Sequence, residues 1–450
     1  MDSLTQITLG AAVGELTLGK KVGNKALAWG AIAGTIPDLD VLMTPFLSDV
    51  ESAVYHRGFS HSIVFALMLA PLLGWALSKL HRKAGASAKD WAKLCFWALV
   101  THPILDCFTT WGTQLFWPFS DYRVAWNSIF IIDPLYTLPF LLLLIILMFF
   151  YRTSRARRIL CYAGLGLSTA YLALSLMIKL YVTGVFKETL EAQGLEYSRF
   201  MTNAMPLNIA LWHGIVENER GFWLGQYSIF DADKNVDFQY MPKNKHLLAP
   251  YEDAWEVGKL RWITEGFMTV EQREKSLKIN DLRFGLSDGG LIEGDEFVFA
   301  YILHPKTFST TDETVVVTRA PGGRSNVGEV LSRVWTRIWG EKRRTPLQIA
   351  HKYFQALNGK NQESLNPFLA PQIETHGRAS LKNSIFQADS IDGANVIFDV
   401  TQAKVENDWA VVHWRKISGE FQLNANLSTG VDSILVRDEK IVEIRRVYGF

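Results

Sequence analysis

Long apolar runs in the first 180 residues constrain this chain more than any other feature. Three of them are close to or above the roughly 20 residues that cross a bilayer as a helix; they are Ser62–Leu80, Ile129–Tyr151 and Ile159–Leu180. A fourth run, Trp91–Thr110, is interrupted by a histidine, a proline and an aspartate. The sequence therefore predicts an integral membrane protein with a helical membrane domain over residues 1–180.

Two shorter apolar stretches, Leu4–Leu18 and Ala26–Ile36, precede these runs. Both contain glycines at four-residue spacing: Gly10, Gly14, Gly30 and Gly34. Such pairs of small residues let two helices approach closely in lipid. We expect a tight helical hairpin here that crosses only part of the bilayer.

Basic residues are concentrated in three of the segments between or beside the apolar stretches. They are Lys20, Lys21 and Lys25; Lys79, Arg82, Lys83, Lys89 and Lys93; and Arg152, Arg155, Arg157 and Arg158. If six segments cross in alternation, all three basic segments lie on one side, which the positive-inside rule makes cytoplasmic. We therefore expect a multi-pass protein of the bacterial inner membrane whose soluble domains, after Leu180, are extracytoplasmic.

Charge and cysteine content exclude some classes of protein. The formal net charge is +1, so no nucleic-acid partner is predicted. The three cysteines, Cys95, Cys107 and Cys161, lie in the apolar half. An odd number of cysteines in apolar segments predicts buried thiols and no disulfide framework.

The residues able to carry chemistry fall on the side opposite to the basic segments. They are Asp38, Asp40, His56, His61, His102 and Asp106. His102 and Asp106 are four residues apart and so share one helix face. Histidine with carboxylate is a ligand set for a divalent metal, with zinc the commonest choice for hydrolysis. Six ligands suggest two ions, which could clamp the oxygens of a phosphoester.

The segment around the first two histidines suggests the remaining site residues. Gly58 is expected to form a turn and Ser60 to cap a helix that starts at His61, which would let the two imidazoles converge. Arg57 is predicted to hold an anionic oxygen. Arg57 and Asp40 are the predicted catalytic residues.

Each motif also has an ordinary structural explanation. The two aspartates could be helix-end carboxylates, and the two histidines could make interfacial hydrogen bonds. The pair in the fourth run is harder to explain in this way, because an aspartate inside the membrane costs about 2.5–3.5 kcal/mol on insertion scales. Three other acids carry weaker signals: Glu15 is expected to face the bundle interior, Asp133 to cap a helix, and Asp2 to be solvated or an extra ligand.

The ordered segments DSLTQITLGAA, AGTIPDLD, HRGFSHS and THPILDCFTTWG resemble those of the YdjM-like family of inner-membrane metal-dependent hydrolases. The resemblance covers residues 1–150 by its motifs and extends through DLRFG at Asp281–Gly285. This family is similar to the zinc-dependent phospholipase C and single-strand nuclease group, which is helical with clustered metals. The resemblance implies a chemistry class and no particular substrate. It matches the HxxxD element of that group to His102 and Asp106, while the later HxxxE element is missing from the membrane half.

Beyond Leu180 the last membrane helix is predicted to continue to about Gln193. Short β-like runs then alternate with turns, at Ala210–Val216, Gly221–Phe230, Lys259–Phe267 and Glu296–Leu303. Residues 181–318 are therefore predicted to form a β-rich domain. Its two isolated histidines, His213 and His304, are expected to be core or surface residues.

Residues 319–344 form a predicted linker with an amphipathic helix. Its apolar residues recur at helical spacing: Val330, Leu331, Val334, Trp335, Ile338 and Trp339. This pattern is typical of a helix that lies on lipid, and equally of one that packs on the next domain. The sequence leaves both interpretations open.

Residues 345–450 are predicted to form an α+β unit. A helix, IAHKYFQALNGK, is followed by strands at Val396–Lys404, Trp409–Ile417, Gly419–Leu427, Val431–Arg437 and Ile441–Tyr448. This order resembles the SnoaL-like, nuclear-transport-factor-like cone, whose fold hosts enzymes, binders and dimerisation modules. His376 and His413 have no carboxylate at motif spacing, so a binding or assembly role is predicted, including a homo-oligomer.

The sequence thus predicts a multi-domain protein: an α-helical membrane domain, a β-rich soluble domain and a C-terminal α+β cone-like domain. The predicted function is a membrane-bound metal-dependent hydrolase that uses metal-activated water on a phosphoester or ester. Lipid-like substrates at the outer face, and membrane lipids as partners, fit a site at membrane depth. The alternatives are a metal-ion transporter or binding protein that uses the same residues, and a non-catalytic scaffold.

Overall fold

The structure is a computed structural model of the 450-residue chain. It describes residues 1–287, 296–305, 315–321, 327–340, 349–350, 352–354, 369–376, 396–406, 409–418, 429–437 and 440–448. The helices of the first half are α1 (Ser3–Gly14), α2 (Lys20–Val22), α3 (Asn24–Thr35), α4 (Asp49–Tyr55), α5 (Ile63–Leu80), α6 (Ala88–Asp106), α7 (Pro134–Leu147) and α8 (Arg155–Ala192).

Helices α1 and α3 form the predicted tight hairpin. A Cβ atom on Gly10 would collide with the carbonyl oxygen of Gly30, and one on Gly14 would collide with that of Ala26. The backbones are therefore in direct contact, which confirms the role predicted for the small residues. The chain reverses at Gly23, whose φ of +63° favours glycine. After α3 it bends by 41° into a 3₁₀ helix, Pro37–Phe46.

Two helices among the described residues are long and apolar enough to cross a membrane, α5 and α8, and the bent pair of α3 with Pro37–Phe46 would add a third span. The predicted run Ile129–Tyr151 contains a helix of only 14 residues, α7. The prediction was too long there because Asp133 caps the helix and Pro134 begins it. Helix α8 has 38 residues and ends at Ala192, which confirms that it continues beyond the apolar run.

The soluble part that follows contains two four-stranded antiparallel sheets. The first has the order β1-β2-β3-β4 and the second β5-β6-β7-β8. These strands are β1 (Arg199–Ala204), β2 (Leu211–Glu217), β3 (Gly221–Ser228), β4 (Phe238–Pro242), β5 (Met268–Gln272), β6 (Leu277–Leu286), β7 (Phe297–Pro305) and β8 (Val315–Arg319). The β-structure predicted for this part of the chain is thus present as two antiparallel sheets.

One predicted strand of this domain is wrong. Residues Lys259–Phe267 do not form a strand, because Trp255–Ile263 is a helix, α9, followed by a turn. Its buried residues are Val257, Leu260 and Ile263. This three-residue spacing belongs to one helix face and not to the two-residue period of a strand.

The last described elements are a helix and a five-stranded sheet. Helix α10 is Val327–Ile338, at the position predicted for the amphipathic helix. The sheet has the order β10-β11-β12-β13-β9, and β9 pairs with β13 in parallel. Its strands are β9 (Leu369–His376), β10 (Val396–Glu406), β11 (Trp409–Ser418), β12 (Thr429–Arg437) and β13 (Lys440–Tyr448). The predicted strand Gly419–Leu427 and most of the predicted helix that begins at Ile349 lie outside the described residues.

The β-rich domain packs against loops at one end of the membrane half. Val50 of α4 and Trp111, which follows α6, share a hydrophobic core with Leu248, Leu260 and Phe284 of the soluble part. Residues on both sides of this contact are buried. The end of α6 is therefore covered by the β-rich domain.

Candidate metal centre

Four of the six predicted ligands meet at the end of α6. They are Asp38, His61, His102 and Asp106, and one ligand atom of each lies within 4.8 Å of all the others. The Nε2 atoms of His61 and His102 are 3.2 Å apart. Each of these nitrogens is 3.4 Å from Asp38 Oδ1 and 3.4 Å from Asp106 Oδ2.

These separations match the geometry of a bound metal. A tetrahedral zinc site with metal–ligand bonds of about 2.0–2.1 Å holds its ligand atoms roughly 3.3 Å apart. The five distances given above lie between 3.2 and 3.4 Å. Two imidazoles and two carboxylates are also a suitable donor set for such an ion.

The hydrogen bonds of His102 determine which of its nitrogens carries the proton. Its Nδ1 lies 2.6 Å from the carbonyl oxygen of Gly34. Because a carbonyl can only accept, the neutral ring must donate from Nδ1. Its Nε2 therefore presents a lone pair to the centre of the four ligands. The assignment rests on the partners of the ring, since hydrogen positions follow from the bonding network.

The same argument applies to His61. Ser60 Oγ donates to Asp40 Oδ2 at 3.2 Å, so its only hydrogen is used there. Ser60 Oγ lies 3.0 Å from His61 Nδ1, and it must accept from that nitrogen. Asp40 Oδ2 is also 3.5 Å from His61 Nδ1. The Asp40 carboxylate therefore lies on the far side of the His61 ring from the other ligands, as carboxylates that orient a metal-binding histidine do.

The two histidines thus turn lone pairs towards each other and towards two carboxylate oxygens. His61, His102 and Asp106 are buried, with side-chain exposures of 0%, and Asp38 is 26% exposed. With both rings neutral, the four ligand atoms are all acceptors, and acceptors that face one another without a donor are costly in a buried place. A cation at their centre would satisfy all four, so the residues fit a divalent metal.

Asp106 is held by groups from two parts of the chain, the N-terminal segment and the turn at Arg57. Gln6 Nε2 donates to Asp106 Oδ1 at 3.0 Å, and the α-amino group of Met1 also contacts that oxygen. Arg57 Nε lies 3.4 Å from Oδ2. Gln6 also donates to the carbonyl oxygen of His102 at 3.3 Å. Gln6 was not among the residues predicted from the sequence, although it belongs to the first motif of the resemblance.

Asp40 and His56, the other two predicted ligands, lie beside the four. His56 Nδ1 is 3.1 Å from Asp40 Oδ1, and the His56 side chain is 33% exposed. The rings of His56 and His61 are in edge-to-face contact at 5.8 Å. The structure therefore divides the six residues into one group of four and an adjacent Asp–His pair.

Arg57 lies against the ligands and is only 4% exposed. Its Nη1 donates to Thr109 Oγ1 at 2.7 Å, and its backbone N–H donates to Asp40 Oδ2 at 3.1 Å. Its φ of +60° is unusual for a residue other than glycine. Through the contacts of Nη1 with Thr109 and of Nε with Asp106, the guanidinium faces these two residues.

Local details of this segment differ from the prediction. The left-handed residue of the turn is Arg57 and not Gly58, whose φ is −91°. Helix α5 begins at Ile63 and not at His61. Its cap is Ser62, which accepts from Phe65 N at 3.0 Å. Ser60 is left free to bridge Asp40 and His61, as described above.

The three weaker acids have structural roles. Asp2 caps α1 through Thr5 N at 3.0 Å, and Asp133 caps α7 as predicted. Glu15 faces the bundle interior, where it pairs with Arg157 at 2.7 Å. The three cysteines are free and buried, as the sequence predicted.

Comparison with known proteins supports the resemblance for the membrane half. Residues 1–182 match the family model described as "YdjM inner membrane protein". This match covers both ligand-bearing aspartates, the histidines and the hairpin. It also supports the predicted location in the inner membrane.

Two curated relatives align with parts of the chain. The inner membrane protein YbcI of Escherichia coli is 38% identical over 111 residues, which are 24% of this chain and 62% of that protein. The uncharacterized protein YfhP of Bacillus subtilis is 33% identical over 147 residues, or 30% of this chain and 42% of that protein. The alignments thus span less than two thirds of either relative.

Solved structures are similar to about a quarter of the chain. An NTF2-like protein of unknown function from Cytophaga hutchinsonii covers 24% of it, with 11% identity and a TM-score of 0.20. A cystatin fold protein from Novosphingobium aromaticivorans covers 23%, with 8% identity and a TM-score of 0.20. At these scores the similarities carry no conclusion, and the SnoaL-like fold of the C-terminal unit stays a prediction.

Proposed function

We propose that this protein is a membrane-bound metal-dependent hydrolase that cleaves a phosphoester or ester of a lipid-like substrate. The observation that carries the proposal is the convergence of four lone pairs from Asp38, His61, His102 and Asp106 in a buried place. A divalent cation there, with zinc the first candidate, would polarise the substrate and activate water at neutral pH. The match of residues 1–182 to the YdjM family supports the same chemistry.

The surroundings of the four ligands favour an apolar substrate. Asp38 is the most exposed of them, at 26% of its side chain. It is the second residue of the 3₁₀ helix Pro37–Phe46. Apolar side chains of this helix are turned outward, with exposures of 52% for Leu39, 65% for Leu42 and 79% for Phe46. Because the β-rich domain covers the end of α6, the side of Asp38 is the open approach. A substrate with an acyl chain would remain in contact with this apolar surface.

The chain's own residues have separate tasks in such a reaction. Gly34 and Ser60 fix the tautomers of His102 and His61, so that both present Nε2 to the centre. Arg57 and Gln6 hold Asp106 in place. His56 remains one third exposed beside the centre, with its Nδ1 on Asp40, and can exchange a proton with a substrate group.

A test of the ligand set uses the double variant His102→Ala/Asp106→Ala in full-length, detergent-purified protein. The affinity for the metal should fall by about 100-fold or more, because even the loss of a residue that only hydrogen-bonds to a ligand lowers metal affinity by about 10–100-fold. Hydrolysis of phosphoester and ester substrates, including phospholipid vesicles, should be lost with it. Metal content is measured by elemental analysis and affinity by competition with a chelator.

The matched control removes one histidine and one aspartate elsewhere. His246 and Asp253 are exposed residues of the soluble part, and His246→Ala/Asp253→Ala should keep both metal and activity. An unchanged metal content in well-folded His102→Ala/Asp106→Ala protein would contradict the assignment of these two residues as ligands. Rapid ion flux into vesicles with no hydrolysis of any substrate would favour the transporter instead.

We also propose that the centre faces the extracytoplasmic side. The three basic segments meet at the opposite end of the membrane half. Lys21 Nζ donates to Asp90 at 2.8 Å, and Arg152 Nη1 donates to the carbonyl oxygen of Lys21 at 2.6 Å. A single basic end fits the cytoplasmic side of a bilayer.

Reporter fusions test this orientation. A reporter that is active only outside the cytoplasm should be active when fused after Phe450 and silent when fused near Ala86, which lies between α5 and α6. The ratio of the two activities, normalised to the amount of fusion protein, is the measurement. The reverse ratio would place the centre on the cytoplasmic side.

A further inference from the structure

Helix α10 packs on the first sheet with only one of its apolar stripes. Val334 and Ile338 are buried, at 4% and 9% exposure, in a cluster with Met205 and Leu211. Arg337 secures the helix through two hydrogen bonds to Asp231, of 2.6 and 2.8 Å. The helix is therefore fixed in rotation on the sheet.

The neighbouring stripe of the same helix is turned outward. Leu331, Trp335 and Trp339 follow one another at four-residue spacing, so they share a face. Their exposures are 44%, 63% and 51%. The ring of Trp339 contacts that of Trp335 at 5.5 Å and stacks on Phe230, which is 49% exposed, also at 5.5 Å. We call these four residues the aromatic ledge.

Contacts place the ledge at the membrane-facing end of the sheet. Ile209, in the loop between β1 and β2, is buried in a cluster with Leu105 and Ile129 of the membrane half. Two residues further on, Leu211 is in the cluster that holds α10. The surface under α10 is thus continuous with the end of the membrane half that carries the ligands.

A second route leads from the long membrane helix to the ledge. Leu180 and Tyr181 of α8 are 74% and 45% exposed, and they lie at the end of its apolar run. Tyr181 Oη lies 3.3 Å from Tyr227 Oη. The next residue, Ser228, donates its hydroxyl to the carbonyl oxygen of Ile338. The ledge therefore stands at the level where α8 leaves the apolar region.

We propose that the aromatic ledge lies in the headgroup region of the bilayer that the membrane half spans. Tryptophan is enriched at this level of a membrane because its ring is apolar and its N–H needs a polar partner. An amphipathic helix that lies in the interface buries an apolar stripe and keeps its other faces in water. The ledge would fix the β-rich domain at a second point, in addition to α8. The proposal does not depend on the hydrolase activity.

A pair of labelled variants of the full-length protein tests the proposal in lipid nanodiscs. Leu331→Cys places an environment-sensitive fluorophore on the ledge, and Thr336→Cys places it on another exposed face of the same helix. The three native cysteines are buried, and unsubstituted protein measures their background labelling. Phosphatidylcholine with a quencher on the upper acyl chain should quench the label at position 331 at least about two-fold more than the label at 336. Aqueous iodide should show the opposite order.

Each other result contradicts the proposal. Equal quenching of both labels by iodide, with none by the labelled lipid, would mean that the ledge faces water. Protection of position 331 from both quenchers would mean that protein covers it, such as the C-terminal unit or a second copy. A Trp335→Ser/Trp339→Ser variant with the 331 label should lose at least about half of the lipid quenching, since the rings supply the contact. Full retention would also overturn the assignment.

Discussion

Helix α1 meets buried charge at both of its ends, and the two clusters differ in how their polar atoms are satisfied. At the C-terminal end of α1, Arg157 Nε and Nη2 each donate to a carboxylate oxygen of Glu15 at 2.7 Å. Arg157 Nη1 donates to the carbonyl oxygen of Phe150 at 3.0 Å. Gly19 leaves the space that the Glu15 carboxylate occupies, because a Cβ there would overlap it. The charged groups of this pair thus find their hydrogen-bond partners within the protein.

The cluster at the N-terminal end of α1, around Asp106, is not complete in this sense. Asp106 Oδ2 is buried and accepts no hydrogen bond among the described residues, although Arg57 Nε forms an ion pair with it at 3.4 Å. The Nε2 atoms of His61 and His102 also face each other at 3.2 Å. Buried polar atoms are normally satisfied, so a converging group of ligand atoms without hydrogen-bond donors fits a cation site better than a structural pair. Burial of charge alone, which both ends share, does not distinguish a binding site from a structural pair.

His213 shows a third outcome for a buried ionisable group. It is 1% exposed in β2, and neither of its ring nitrogens has a hydrogen-bond partner among the described residues. Burial lowers the pKa of His213 to about 4, so the ring is neutral at physiological pH. Among the described residues, the group of four around His102 is the one set of metal-ligating side chains that converge. His213 is therefore a core residue, as the sequence suggested.

The largest effect that tests this comparison is expected at the pair of Glu15 and Arg157. Arg157→Met leaves the carboxylate of Glu15 buried without a partner, which should cost about 3–5 kcal/mol of stability. Thermal unfolding of the detergent-solubilised protein measures the loss. The metal content of the molecules that remain folded should stay unchanged, because Arg157 is at the opposite end of α1.

Two further variants show whether the loss comes from the unpaired charge. Glu15→Gln/Arg157→Met removes both charges and should recover a large part of the stability. Lys21→Ala breaks an ion pair with Asp90 at the same end, but Lys21 is 52% exposed, so the loss should be at most about 1 kcal/mol. If Arg157→Met lost its metal while it remained folded, the two ends of α1 would not be independent.

The sequence predicted which residues form the metal centre better than it predicted how they are arranged. His102 and Asp106 could be paired because a four-residue spacing on a helix is a local relation. The contribution of Asp38 and His61 depends on the bend after α3 and on the turn at Arg57, which only the folded chain brings together. The division of six candidates into four ligands and an adjacent pair is a tertiary feature of the same kind. Gln6 carried no separate signal, because a glutamine in an apolar stretch has several ordinary roles.

Prediction of the fold succeeded where one interaction dominates. Apolar length located α5 and α8, and the spacing of small residues identified the hairpin of α1 with α3. It failed at Lys259–Phe267, where a short amphipathic segment fits a strand and a helix almost equally well. The structure decides for the helix there, because Val257, Leu260 and Ile263 all enter the core beneath the second sheet.

The smallest expected effect concerns Asp40, the predicted ligand that the structure places behind His61. Asp40→Asn keeps the size of the side chain but removes its negative charge. In the unsubstituted protein this carboxylate lies near His61 Nδ1 and accepts a hydrogen bond from Ser60. Loss of a carboxylate that orients a metal-binding histidine typically weakens metal binding by about 10–100-fold. We therefore expect this loss in affinity, measured by competition with a chelator, with little change in the number of ions bound at saturation.

Asp121→Asn is the matched control, since it makes the same change at an exposed position of the loop after α6, and its affinity should equal that of the unsubstituted protein. If Asp40→Asn removed one ion of two at saturation, Asp40 and His56 would hold a second metal, as the six-residue motif first suggested. If it left the affinity unchanged, the Ser60 hydroxyl alone would be enough to orient His61. The intermediate result, a weaker site with the same stoichiometry, is what the two hydrogen bonds of Ser60 lead us to expect. A carboxylate that acts through a neighbouring histidine tunes the basicity of that ligand without contacting the ion.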